Sequence, residues 1–115
     1  MDSGARAMEA LLALPVHPDA IVAANDLMAI GAYRVCQRHH LRMPEDIAII
    51  GMDDSELAVC MDISSVQMCE EEIGRNAAQL LLDRIQHGPR EKRVIRLAPR
   101  LALRASSEKS CKTEK

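Results

Sequence analysis

Ala20–Met52 reads AIVAANDLMAIGAYRVCQRHHLRMPEDIAIIGM, and this stretch decides the fold. Its first five residues, AIVAA, form an unbroken apolar run after Pro18-Asp19, the pattern of a strand buried on both faces of a parallel sheet. Asn25 and Asp26 follow it, and both residue types cap helix N-termini. From Leu27 to His39 the apolar positions Met28, Ala32, Val35 and Cys36 recur at helical spacing, with Arg34, Gln37 and Arg38 on another face. Pro44 bars that helix from continuing through LRMPED, and IAIIGM (Ile47–Met52) then predicts a second buried strand. Strand, helix and strand within this length make a βαβ unit, which requires a parallel pair with the helix across one face.

The flanks extend the same architecture. Met8, Leu11 and Leu12, with Ala5 beside them, predict a helix stopped by Pro15 and Pro18. Asp53-Asp54-Ser55 closes the second strand, a loop follows through Cys60, Met61 and Asp62, and Ile63–Met68 (ISSVQM) predicts a third strand with a polar middle. Ile73, Ala77, Leu80, Leu81 and Ile85 mark one face of a further helix, with Glu70, Glu71 and Glu72 in its first turn and His87-Gly88-Pro89 at its end. Lys92–Leu97 and Arg100–Arg104 alternate polar with apolar residues, as late strands with one exposed side do. The expected fold class is α/β: a mostly parallel sheet flanked by helices, built from residues 1–105, with 106–115 a disordered Ser/Lys/Glu tail.

Composition narrows the function. A chain of 115 residues supports one core, and 48% hydrophobic with 28% charged residues suits a folded domain. There is no Phe or Trp, and Tyr33 is the only aromatic residue, so this segment offers no stacking platforms for bases or sugar rings. Fifteen basic residues against 17 acidic ones, without a basic block in the folded part, argue against affinity for a phosphate backbone. Cys36, Cys60, Cys69 and Cys111 show no CxxC spacing and read as reduced structural thiols. No apolar run approaches the roughly 18 residues that a membrane span needs, and Met1–Leu14 lacks the pattern of a secretory signal. The expected location is cytoplasmic, away from any membrane. His39-His40 reads as a solvated helix end, and neither a nucleophile elbow nor a phosphate- or dinucleotide-binding glycine motif is present. The chain is therefore expected to be neither an enzyme nor the holder of a metal or cofactor.

In open parallel sheets, ligands collect beyond the carboxyl ends of the strands. Asn25-Asp26 and Asp53-Asp54 fall at two such ends. An ionised Asp accepts from two hydroxyls at once, and an Asn both donates and accepts, so these residues suit a polyhydroxylated or amide-bearing small molecule. The same residues equally serve to cap helices and turn the chain. A Mg²⁺ phosphoacceptor site would need a basic residue at another strand end, and none stands out.

Pro18–Ala58 (PDAIVAANDLMAIGAYRVCQRHHLRMPEDIAIIGMDDSELA), Ile63–Ile85 (ISSVQMCEEEIGRNAAQLLLDRI) and Arg100–Ser107 (RLALRASS) together resemble the effector-binding domain of LacI/GalR-type transcriptional regulators. The resemblance covers about nine tenths of the chain, with its motifs in order. It implies a partial periplasmic-binding-protein-like (type I) fold, two α/β lobes with a sugar or nucleobase effector in the cleft between them. By comparison, Asn25 in the A-N-D motif and Asp53 in the aromatic-D-D motif, which reads Met52-Asp53-Asp54 here, would reach that effector. The resemblance further implies a homodimer with Ile30, Tyr33 and Arg34 at its interface, and places the Glu70–Gln86 helix in the other lobe. On this reading the chain is the C-terminal part of the effector domain, and DNA is bound only through a helix-turn-helix domain outside it. Met68-Cys69 replaces the family's usual Gln-Pro, and Asp62 its usual Pro. A solute-binding protein of the same fold, or a remnant that only dimerises, are the alternatives.

Overall fold

The computed structural model describes residues 1–108. Helix α1 (Asp2–Leu12) leads into strand β1 (Ala20–Val22), helix α2 (Asp26–Arg38), strand β2 (Ala48–Met52), the short helix α3 (Glu56–Cys60), strand β3 (Ser64–Gln67), the long helix α4 (Glu70–His87) and strand β4 (Arg100–Ala102). The four strands form one sheet in the order β1-β2-β3-β4. Ala20 lies opposite Ala48 and Ile50 opposite Ser64 in parallel pairs, while β4 runs antiparallel to β3 with Val66 facing Leu101. The expected mostly parallel α/β sheet is therefore present.

The core lies between the sheet and the helices α1, α2 and α3. Met8 of α1, Ala29, Ile30, Ala32, Val35 and Cys36 of α2, Ile49 of β2 and Ala58 of α3 are buried together with Ile47 and Ile63. Each of the Met, Ile and Val side chains, moved out of water, contributes about 1.5–3 kcal/mol, and each alanine less. Two glycines let α1 and α2 approach. A Cβ at Gly4 would run into the backbone of Met28, and one at Gly31 into the backbone of Met1 and Ala5. Burial pushes the Cys36 thiol pKa up, which suits an unreactive core residue. Cys36, Cys60 and Cys69 are all free thiols.

Several expectations are corrected. The first strand is an edge strand with Val22 72% exposed, so its apolar run is not buried on both faces. Glu56–Cys60, read as a loop, is a helix, capped by the Ser55 hydroxyl accepting from the Ala58 N–H at 3.4 Å. Lys92–Leu97 is not a strand. Its apolar residues instead lie along α4, where Ile95, Leu97 and Pro99 share a groove with Ile73, Ala77 and Leu80.

Ser106 to Glu108, placed in a disordered tail, are also ordered. Ser106 is buried, and its hydroxyl donates to the Ile49 carbonyl at 2.6 Å and accepts from the Ser64 N–H at 2.8 Å. The Ile49 N–H donates to the Ser106 carbonyl at 2.8 Å. This segment satisfies backbone groups of β2 and β3 that would otherwise be buried without partners. The rest of the expected tail, residues 109–115, lies outside the described residues.

Candidate functional site at the carboxyl ends of β1 and β2

Asn25 and Asp53 sit just beyond the carboxyl ends of the paired strands β1 and β2. Their environments differ. Asn25 is half-buried and is the N-cap of α2, its side-chain oxygen accepting from the Met28 N–H at 2.9 Å. The capping reading therefore holds for that oxygen, while its amide nitrogen makes no hydrogen bond among the described residues. Asp53 is exposed, and its carboxylate has no hydrogen bond or ion pair among the described residues. It lines an open groove of about 470 Å³ with Gln67, Cys69, Glu70, Arg75 and Arg100, formed by the ends of β2, β3 and β4 and the start of α4. Asn25 does not line this groove.

The loop that presents Asp53 is under backbone strain. Asp53 has φ 107° and Asp54 φ 52°, a region that non-glycine residues enter at about 1–3 kcal/mol each. Successive amides are captured by different acceptors: Asp53 N–H by the Val66 carbonyl at 2.9 Å, Asp54 N–H by the Ser65 hydroxyl at 2.9 Å, and Ser55 N–H by the Asp26 carboxylate at 2.6 Å. Asp54 lines the same groove. Its carboxylate pairs with Arg104 at 2.6 Å, and Arg104 also donates to the Ile63 carbonyl at 2.8 Å. That pair is mostly shielded from water, so removing one member would leave the other charge poorly compensated.

Sequence reasoning placed Asp26 beside Asn25 at a strand end and Ser55 in the turn after Asp54, but missed Ser65 and Arg104 as parts of this region. Their signal was two serines in the middle of a strand. Ser64 and Ser65 are both buried, and a buried hydroxyl needs a partner. The expected interface residues are split. Ile30 is 1% exposed and belongs to the core, so it is not at a surface of this chain. Tyr33 is half-buried beside Leu41 and Met61, and Arg34 is exposed in a separate groove with Asp2 and Arg38. Among the described residues no group of His, Cys, Asp or Glu side chains is placed to hold a metal ion. No helix there is long and apolar enough to cross a membrane.

A family described as a periplasmic binding protein-like domain matches residues 1–107. The chain belongs to that family, on the side of the LacI-type regulators. This LacI-type domain is 40% identical over 110 residues to the lactose operon repressor of Rhizobium radiobacter, covering 94% of this chain and 96% of that protein. It is 35% identical over 108 residues to the ribose operon repressor of Escherichia coli K12, covering 92% of this chain and 33% of the repressor. The chain thus spans about a third of the length of that relative. Among solved structures, the complex of the transcriptional regulator CelR with cellobiose superimposes with a TM-score of 0.84 at 40% identity, over 92% of this chain and 33% of the other.

Proposed function

We propose that this LacI-type domain is the effector-sensing portion of a cytoplasmic transcriptional regulator, binding a sugar through Asp53 and the free amide of Asn25. The observation that carries this reading is Asp53: a carboxylate at a strand end without a partner among the described residues, held out on a strained loop and lining a polar groove. Strain of this kind persists only where the surroundings enforce it, as Val66, Ser65 and Asp26 do here, and it clusters at ligand-binding sites. Similarity to lactose and ribose operon repressors and to a cellobiose-bound regulator supports a sugar as the ligand. It also supports a role in binding and regulation without catalysis.

The mechanism is a shift of populations. A sugar that binds one arrangement of two lobes more tightly than the other moves the equilibrium by that difference in affinity, and the bias passes to DNA contacts made by residues outside these 115. Pairing of two copies across α2, with Tyr33 and Arg34 at the contact, would give the regulator its two-fold symmetry. Two-dimensional NMR of the chain during titration with ribose, lactose and cellobiose tests the site. Shifts centred on the Asn25 side-chain amide and the Asp53 backbone amide support it, and shifts confined to other surfaces would refute it.

A further inference from the structure

We infer that Asp26, the buried neighbour of Asn25, is a positioning residue that fixes the Asp53 loop against the start of α2 without touching a ligand. Asp26 is 1% exposed, which removes it from any ligand's reach. Its two carboxylate oxygens serve two different elements. Oδ1 accepts from the Ser65 hydroxyl of β3 at 2.6 Å, and Oδ2 accepts from the Ser55 N–H at 2.6 Å. Ser65 is thereby oriented with its hydrogen toward Asp26 and its lone pairs toward the Asp54 N–H, 2.9 Å away. One carboxylate therefore controls two successive amides of the loop, one directly and one through a hydroxyl.

Ionised carboxylate oxygens are acceptors only, so no other residue of this size supplies the same two acceptors. The strand beneath leaves no slack: a Cβ added to Gly51 would run into Asp26 Oδ1. Asp26 also adjoins Asn25 in the chain, so the carboxylate sets where the Asp53 loop lies relative to Asn25. The importance of that spacing for a sugar rests on the function proposed above; the tether itself does not.

Amide hydrogen exchange by NMR on the 115-residue chain tests the tether, with Asp26→Ala, Ser65→Ala and Asp53→Ala compared to the parent. Ser65→Ala is expected to speed exchange at Asp54 at least about tenfold, and Asp26→Ala to do so at Ser55, while the core amides of Val35 and Ile49 keep their rates. Asp53→Ala should leave both loop amides protected. If Asp26→Ala does not fold, Asp26→Asn, which keeps only one of the two acceptors, takes its place. Unchanged rates at Ser55 in the Asp26 variant or at Asp54 in Ser65→Ala, or uniform acceleration across the chain, would overturn the inference, the latter because it marks a general stabiliser. Ribose titrated into the same samples separates the two ideas. Selective loop exchange with no binding of ribose, lactose or cellobiose by the parent chain would sink the ligand reading and leave the tether standing.

Discussion

Asn25 and Asp26 are adjacent, polar and equally good helix caps by residue type, yet the fold gives them different work. Asn25 caps α2 and keeps an amide nitrogen without a partner among the described residues, whereas Asp26 turns inward to Ser65, 39 positions along the chain. The strand-end position of Asn25 and Asp53 was legible because apolar runs stop abruptly at polar pairs. Which member of each pair faces outward was not legible, since it depends on partners in β3 and β4. Asp54 shows the same thing: only Arg104, 50 positions away, distinguishes it from Asp53. A different kind of residue-scale effect is seen at Asp46. Side-chain and backbone hydrogen bonds from Arg42 hold its carboxyl down to about 2. A lowered folded-state value stabilises the fold above the ordinary carboxylate range and loses that effect as pH falls toward 2. Arg42→Ala should therefore return Asp46 toward its ordinary value in a carboxyl NMR titration and reduce the loss of stability below pH 4, whereas an unchanged titration would show that Arg42 is not the cause.

Among the elements, β1, α2 and β2 were readable because their periodicity is local and the proline breaks are clear. Lys92–Leu97 was misread as a strand, because alternation is a property of any segment with one covered side, and here the cover is α4. Helix α3 was too short for a periodic signal. The C-terminal segment was misread because Ser106 looks like tail composition, while its hydroxyl bridges β2 and β3. Ser106→Ala should destabilise the chain by about 1–3 kcal/mol in urea unfolding, through the partners left unsatisfied in the core. The α1–α2 contact makes a second prediction. Gly31→Ala places a methyl against backbone that has nowhere to go, and overpacking of this kind costs about 1–3 kcal/mol. A variant as stable as the parent would show that α1 does not pack there in solution.

In the whole molecule, α4 stands apart from the core. None of its residues is buried, and Ile85 at its far end is 70% exposed. Its apolar face was legible in the sequence; Ile95 and Leu97 lie along part of it, while Leu81 and Ile85 stay exposed. The domain spans about a third of a full-length relative such as the ribose operon repressor, so lobe closure and DNA release belong to the larger assembly proposed above. Pairing of copies is testable at this scale. Sedimentation equilibrium should show a dimer that Arg34→Glu weakens, and identical behaviour of the two chains would remove Arg34 from the contact.

Calorimetric titration of ribose, lactose and cellobiose into the chain and into Asp53→Ala tests the central claim most directly. The account predicts heat of binding for at least one sugar with the parent chain and loss of that heat in Asp53→Ala, with the variant still folded by circular dichroism. Binding that survives in Asp53→Ala, or no binding of any of the three sugars to the parent, would contradict it.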